Sequence, residues 1–156
     1  MRCVYGFGGV PGDIPLLADM DADGKADLVI FRGGVWYVST NRDGVVTQSY
    51  GFGGPGDIPL IADVNGDGRN DLIVYRSGTW YVCYSPCSGV AGDVFNYGGV
   101  AGDVPLIARW KPGDSGAALI IFRNGLWYIS TQRDGTTQYT YGLGAPGDVP
   151  LVGIFR

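Results

Sequence analysis

The stretch GDIPLIADVNGDGRNDLIVYRSGTWYV, residues 56–82, decides the fold. Its apolar segments are separated first by a run of Asp, Asn and Gly and then by the pair Ser77-Gly78. The segment at 72–75 is apolar at every position, which indicates a strand buried on both faces. Gly33-Gly34 and Asn124-Gly125 match the Ser-Gly pair elsewhere in the chain, and such pairs are signals of tight hairpins. We predict strands at 59–64, 71–76, 79–84 and 93–97.

The same phrases recur along the chain. Versions of YGFGGPGDIPLIAD begin at Tyr5, Tyr50, Tyr97 and Tyr141, and versions of DLIVYRSGTWYV follow the first three. Four strands in a repeat of roughly 40–50 residues, with both sheet faces covered, are typical of a β-propeller blade. We therefore predict an all-β chain of β-propeller-type, four-stranded antiparallel blades. A solenoid of β-sheets is the alternative.

The repeat divides a single domain, 1–156, into three full blades and two partial units. We place the blades at 9–53, 54–99 and 100–144. A terminal outer strand at 1–8 and a terminal inner strand at 145–156 remain unpaired. Because closed propellers have roughly four to eight blades, the sequence predicts an open or multi-chain propeller. Its ends are expected to expose strand edges and apolar blade faces.

The composition excludes several classes of function. The chain has no His, so it contains neither a Ser-His-Asp triad nor a His-ligated metal. All 15 acidic residues are Asp, and the formal net charge is -4, which disfavours binding to nucleic acid. No apolar run approaches the roughly 20 residues that a membrane helix requires, so membrane insertion is not expected. The 28 Gly and 9 Pro residues favour turns over helices.

Two loops follow the pattern D-x-[DN]-x-D-G-x-x-D, at residues 19–27 and 63–71. Oxygen ligands at alternate positions, with a Gly for the sharp turn, are typical of a calcium-binding loop. The sequence predicts one Ca²⁺ ion in each loop, and the alternative is a pair of Asp-rich turns capped by their own hydrogen bonds. The predicted side-chain ligands are Asp19, Asp21, Asp23 and Asp27 in the first loop and Asp63, Asn65, Asp67 and Asp71 in the second. Lys25 and Arg69 would each contribute a backbone carbonyl.

The equivalent loop of the third repeat, residues 109–118, is degenerate and is expected to bind no metal. Most positions that have Asp or Asn in the first two loops have other residues here, and two of the residues in this loop, Arg109 and Lys111, are cationic. One interpretation is that fixed positive charge has replaced the ion, with Arg109 or Lys111 paired with Asp114. The other is plain degeneration of the loop.

The phrase at residues 56–82 resembles the FG-GAP/VCBS-type repeat of secreted and cell-surface propellers, including integrin heads. The resemblance covers almost the whole chain, because the phrase recurs. It implies an extracellular or cell-surface location, loop-bound calcium, and a role in adhesion, ligand binding or surface architecture. It does not imply catalysis.

Four tryptophans fall into two groups. Trp36, Trp80 and Trp127 occupy the same place in each repeat, which favours packing between blades over an exposed glycan groove. Trp110 breaks the repeat and lies in the degenerate loop, so we expect it to face a partner.

The three cysteines are Cys3, Cys83 and Cys87. Cys83 and Cys87 flank Tyr-Ser-Pro in a hairpin, where a small disulfide ring would form in an oxidising compartment. Cys3 is left over, which indicates either a partner-facing cysteine that pairs with another chain or a buried thiol.

These features predict a non-enzymatic, calcium-stabilised structural module. Other copies of the chain are the expected partners, bound head to tail through the terminal strands, in a ring or in a filament that attaches to a surface. A lectin-like propeller with glycans held between blades is the alternative. An Asp-based glycoside hydrolase ranks lowest, because nothing distinguishes one pair among the equivalent acids Asp13, Asp57, Asp103 and Asp148.

Overall fold

The computed structural model describes residues 4–153, which form twelve β-strands in three four-stranded sheets. All sheets are antiparallel, with their strands in chain order. Blade 1 contains β1 (Ile14–Ala18), β2 (Asp27–Arg32), β3 (Val35–Ser39) and β4 (Gln48–Gly51). Blade 2 contains β5 (Ile58–Ala62), β6 (Asp71–Arg76), β7 (Thr79–Cys83) and β8 (Asp93–Asn96). Blade 3 contains β9 (Val104–Ala108), β10 (Ala118–Arg123), β11 (Leu126–Ser130) and β12 (Tyr139–Gly142). The all-β prediction of blade-type sheets is confirmed.

The strand register corrects one detail of the sequence alignment. Trp36 of β3 pairs with Tyr50 of β4, and Trp80 of β7 pairs with Phe95 of β8. Phe95 is therefore the equivalent of Tyr50, and the alignment of Tyr97 with Tyr50 was wrong by two residues. Tyr97 instead corresponds to Phe52, because each backbone carbonyl accepts a hydrogen bond from the indole of its blade.

Each hairpin between the second and third strands is closed by a tight turn. In blade 2, Ser77 and Gly78 have φ of 47° and 90°, as a two-residue hairpin turn with both central residues left-handed requires. A Cβ on Gly78 would lie 2.8 Å from the carbonyl oxygen of Gly98. Glycine is needed here because the turn touches the backbone that leads to the next blade.

Each blade buries two faces, which we name by the direction of the chain. The leading face packs against the next blade; it contains Val29, Phe31, Trp36 and Val38 in blade 1 and Ile73, Tyr75, Trp80 and Val82 in blade 2. The trailing face packs against the preceding blade; it contains Leu72, Val74, Tyr81 and Cys83 in blade 2 and Leu119, Ile121 and Tyr128 in blade 3. The register places Ile120, Phe122, Trp127 and Ile129 on the leading face of blade 3, and Leu28, Ile30, Tyr37 and Ser39 on the trailing face of blade 1.

The indoles of Trp36 and Trp80 lie at the centre of the two interfaces. Both side chains are fully buried, and their Nε1 atoms donate to the carbonyl oxygens of Phe52 (2.8 Å) and Tyr97 (2.9 Å). These two residues therefore serve as interface core, as their periodic placement predicts. Trp127 makes the equivalent bond to the Leu143 carbonyl at 2.8 Å but remains partly exposed.

The two terminal segments form no strand over the residues that the structure describes, 4–9 and 145–153. Val152 nevertheless packs against the leading face of blade 3. The ends of both predicted terminal strands, 1–3 and 154–156, lie outside the described residues. Between residues 4 and 153 the chain has no helix long and apolar enough to cross a membrane.

Candidate metal centre

Both predicted calcium loops connect the first two strands of a blade. Loop 1, residues 19–27, joins β1 to β2, and loop 2, residues 63–71, joins β5 to β6. The last residue of each loop, Asp27 or Asp71, is also the first residue of the buried strand and is completely inaccessible to solvent. The strand thus fixes one carboxylate at the base of each loop.

Loop 1 brings three carboxylates together. Oxygens from Asp19, Asp21 and Asp27 all lie within 4.8 Å of one another. Asp19 also organises the turn, because its two oxygens accept the backbone N–H groups of Asp23 (3.1 Å) and Gly24 (2.8 Å). Both sequence interpretations describe part of this loop: it is an Asp-capped turn that also clusters carboxylates.

An arginine that the sequence analysis did not assign to the site enters loop 1. Arg42, from the β3–β4 hairpin, donates from Nη1 to Asp27 Oδ1 (2.8 Å) and from Nη2 to Asp23 Oδ2 (3.0 Å). The Arg42 hydrogen bond lowers the pKa of Asp23. In the sequence, this arginine recurs at the equivalent position as Arg133, but nothing near residue 42 indicates a contact with residues 23 and 27.

Loop 2 has the same turn with one amide in place of a carboxylate. Asp63 Oδ1 accepts the N–H groups of Gly66 (2.6 Å) and Asp67 (3.1 Å), and Asp63 Oδ2 accepts that of Gly68 (3.0 Å). Asn65 Oδ1 accepts the N–H of Asp67 at 3.0 Å. Lys25 and Arg69 lie in the tips of the loops, where their N–H groups bond Asp23 and Asp67, each at 2.8 Å.

The carboxylates at the base of the loops are electrostatically costly. Burial raises the pKa of Asp27 and the pKa of Asp71, because removal from water penalises the charged form. Backbone N–H groups of Met20 and Val64, each at 2.9 Å, partly offset that penalty. A cation beside either carboxylate would stabilise it further.

In the third loop, the side chains of Arg109 and Lys111 do not pair with Asp114 as one interpretation of the sequence expected. Arg109 instead reaches back to loop 2, with its Nη2 3.2 Å from Asp63 Oδ2, and Lys111 bonds the hydroxyl of Tyr139. Asp114 accepts the backbone N–H of Lys111 at 2.7 Å. The pairing was wrong because the loop lies against its neighbour: Ala117 N–H donates to the Asp63 carbonyl at 2.8 Å.

The remaining candidate residues lie outside the metal loops. Cys83 and Cys87 form a disulfide, with Cα atoms 5.3 Å apart, in the β7–β8 hairpin. Trp110 is half-buried on the leading face of blade 3, with its ring 5.6 Å from that of Tyr141 and 6.3 Å from that of Tyr139. Cys3 lies outside the described residues.

The donor set of the two loops fits a hard cation. All candidate side-chain ligands are oxygens, mostly carboxylate, gathered in a short loop with a central glycine, as calcium prefers. Asp19, Asp21, Asp23 and Asp27 would hold an ion in loop 1, and Asp63, Asn65, Asp67 and Asp71 would hold one in loop 2.

Comparison with known proteins identifies the repeat. Residues 19–82, which include both loops, β2 to β6 and most of β7, match the family model described as FG-GAP-like repeat. No curated protein matches the chain significantly. Over residues 19–82, therefore, the chain is similar to the FG-GAP-like repeat family.

Proposed function

We propose that the chain is a non-enzymatic, calcium-stabilised extracellular module with a structural role. It assembles with other copies of itself through the two open blade faces and mediates attachment to a surface. The observation that carries the proposal is the repeated interface between blades, because the same kind of surface lies at both ends of the stack without a neighbouring blade. Ile30 and Ile120 are buried there, but Leu17 and Leu143 remain exposed.

The leading face of blade 3 has the residues of an internal interface without a blade to cover them. Leu143 is 73% exposed, whereas Phe52 and Tyr97 at the equivalent positions are 7% and 6% exposed. Beside Leu143 lies an open cavity of about 610 Å³, lined by Trp110, Trp127 and Tyr141 among others. Apolar patches of this kind are typical of sites of protein association.

The trailing face of blade 1 has the matching residues. Leu28, Ile30 and Tyr37 occupy the positions at which Leu72, Val74 and Tyr81 of blade 2 cover blade 1. Leu17, on the same face, is 68% exposed, whereas Ile107 at the equivalent position is 7% exposed. The trailing face of a second copy is therefore the surface whose side chains best continue the interface series.

Such a contact joins two different surfaces, so it is heterologous and yields a ring or a filament. The C-terminal tail lies at the place of this contact. The tail Pro150-Leu151-Val152 repeats Pro15-Leu16-Leu17 at the start of β1, and Val152 lies on the leading face of blade 3. In the assembly, β1 of the second copy takes the place of this tail.

Two further observations support the calcium and extracellular parts of the proposal. The carboxylates of loop 1 cluster within 4.8 Å, and a divalent ion would relieve their mutual repulsion. The Cys83–Cys87 disulfide indicates an oxidising compartment, and FG-GAP-like repeats are typical of extracellular proteins.

We propose that the chain is not an enzyme, and the support comes from the ion pairs made by three of the four repeated aspartates that precede the first strand of a repeat. Asp13, Asp57 and Asp103 each accept two bonds from an arginine of their own blade: Arg32, Arg76 and Arg123. A carboxylate held in this way is a poor general acid or nucleophile, because the guanidinium stabilises its ionised form.

A lectin-like function is the second candidate, favoured by one cluster. Trp110, Tyr139 and Tyr141 gather their rings on the leading face of blade 3, and Tyr141 is 47% exposed. Flat aromatic surfaces of this kind stack on sugars. Retention of the chain on a glycan array, lost in Tyr141→Ala without a change in assembly, would favour this candidate.

The assembly proposal is tested with one charge on each open face. Leu143→Arg places a cation on the leading face, and Leu17→Arg places one on the trailing face. Val90→Arg, at a residue 71% exposed in the β7–β8 hairpin, is the control. Light scattering coupled to size exclusion at tens of micromolar should show large species for the unmodified chain and for the control, and monomers for each face variant.

A mixture of the two face variants gives the sharper result. Leu143→Arg keeps an intact trailing face and Leu17→Arg keeps an intact leading face, so together they should form 1:1 dimers that grow no further. A monomeric unmodified chain at these concentrations, or unchanged assembly of both variants, contradicts the proposal.

A further inference from the structure

The two calcium loops differ in what holds their carboxylates. In loop 1, Asp27 Oδ2 and Asp23 Oδ1 accept backbone N–H groups, and the guanidinium of Arg42 binds the other oxygen of each carboxylate. Arg42 therefore occupies the oxygens of Asp23 and Asp27 that the backbone of the loop leaves for a cation. A planar guanidinium suits two carboxylates at once, and such charge-assisted bonds are stronger than neutral ones.

In loop 2 the corresponding oxygens meet neutral donors. The β7–β8 hairpin has Pro86 at the position of Arg42. Asp71 Oδ1 accepts the N–H of Ser85 at 2.9 Å, and Asp67 Oδ2 accepts from the Asn65 amide at 3.2 Å. Blade 2 thus supplies no cation at these oxygens.

The cation that approaches loop 2 comes from another blade. Arg109 Nη2 lies 3.2 Å from Asp63 Oδ2, and the Arg109 side chain is 52% exposed. A single contact by a half-exposed arginine contributes little, because water screens it. Arg42, by contrast, contacts a completely buried carboxylate.

We infer that Arg42 is a built-in cation that competes with calcium for loop 1 and lowers the calcium affinity of that loop. The inference rests on the proposed calcium binding. An ion entering loop 1 must displace the guanidinium from Asp23 and Asp27. An ion entering loop 2 displaces neutral donors and the single half-exposed contact of Arg109 with Asp63. Loop 1 is therefore ordered without calcium and fills at a higher calcium concentration than it would without Arg42.

The chain contains a matched control in blade 3. Arg133 occupies the same hairpin position as Arg42, and both residues are left-handed, with φ of 57° and 59°. Arg133 Nη1 donates to the Ala117 carbonyl at 3.0 Å, and Ala118 stands where blade 1 has Asp27. Removal of Arg133 changes a hairpin arginine without freeing a carboxylate.

The test is titration calorimetry with CaCl₂ in an Asp67→Ala background, which disables loop 2 and reports loop 1. Adding Arg42→Ala should tighten binding about tenfold. Adding Arg133→Ala should leave the affinity unchanged. Arg42→Gln, which removes the charge but keeps an amide donor, should act like Arg42→Ala and serves as the second variant if Arg42→Ala folds poorly.

A second readout is the melting temperature in EDTA and in calcium. Arg42→Ala should lower the melting temperature in EDTA, and calcium should restore it. Arg133→Ala should change the melting temperature by the same amount in EDTA and in calcium. Equal or weaker calcium binding after removal of Arg42 overturns the inference while leaving calcium binding in place. If calcium changes neither the heat signal nor the melting temperature of any form, the calcium part of the proposed function fails, and the inference fails with it.

Discussion

At the scale of single residues, one contact recurs in every blade. The aspartate before the first strand accepts two bonds from the arginine that ends the second strand, as in Asp57 and Arg76, at 2.6 and 2.7 Å. The guanidinium also lies over a tyrosine ring of the third strand, 5.4 Å from the centre of Tyr81. This contact joins three strands at one end of the blade.

Replacement of Asp57 tests the contact and its pH dependence. The Arg76 hydrogen bond lowers the pKa of Asp57, and the equivalent Arg32 bond lowers the pKa of Asp13 to about 2. A lowered pKa contributes stability above the unfolded-state pKa of about 3.9, and this is lost as the pH falls through the folded-state value. Asp57→Asn should cost about 1 kcal/mol at pH 7, because the partner is half-exposed.

Urea unfolding between pH 7 and pH 2 measures this effect. The difference in free energy of unfolding between the unmodified chain and Asp57→Asn should shrink below about pH 4, where Asp57 begins to protonate in the unfolded chain. A difference that stays constant over this range would show that the charge of Asp57 is not what stabilises the blade.

At the scale of elements, the β7–β8 hairpin is held differently from its two equivalents. Cys83 is buried in the interface between blades 1 and 2, and Cys87 packs against the same cluster. Cys87→Ser should lower the free energy of unfolding by about 2 kcal/mol, because a small closed loop restricts the unfolded chain. Guanidinium unfolding with and without dithiothreitol measures the loss, and reduction should remove the difference between the two proteins. Equal stability in oxidising buffer contradicts the prediction.

The repeated sequence predicted strand bounds well, but it did not predict every register or any contact between distant segments. β6 matches its predicted bounds, because residues 71–76 are bounded by an Asp loop and a tight turn. The register of β8 was predicted wrongly, because Tyr97-Gly98 has the same sequence as Tyr50-Gly51. The structural equivalent of Tyr50 is Phe95, two residues before Tyr97. The contact of Arg42 with loop 1 was also missed, since it depends on where a hairpin distant in sequence lies in three dimensions.

At the scale of the whole molecule, the same tryptophan has a different environment at the open end. Trp80 is fully buried between blades 2 and 3, whereas Trp127 is partly exposed. Trp80→Phe leaves the buried carbonyl of Tyr97 without its donor, so it should cost about 2 kcal/mol at low protein concentration. Trp127→Phe should cost less than 1 kcal/mol there, because water reaches the Leu143 carbonyl.

Repeating both measurements at high protein concentration separates folding from association. If a second copy covers Trp127, the cost of Trp127→Phe should rise with concentration and that of Trp80→Phe should not. Equal costs for the two variants at low concentration would mean that the leading face of blade 3 is as well covered as an internal interface.

The tail itself provides the last prediction. Residues 150–153 lie where β1 of the next copy would bind, and Val152 covers part of the cluster formed by Ile120, Phe122 and Ile129. Because the tail competes with β1 of a second copy, deletion of residues 150–156 should strengthen self-association and move it to lower concentrations. Exposed apolar surface also promotes non-specific aggregation, so the deletion is combined with Leu17→Arg, which blocks only the trailing face. Sedimentation velocity should show larger species for the deletion alone and monomers for the combination. Aggregation that persists in the combination, or weaker association after the deletion, would show that the tail is not a substitute for β1.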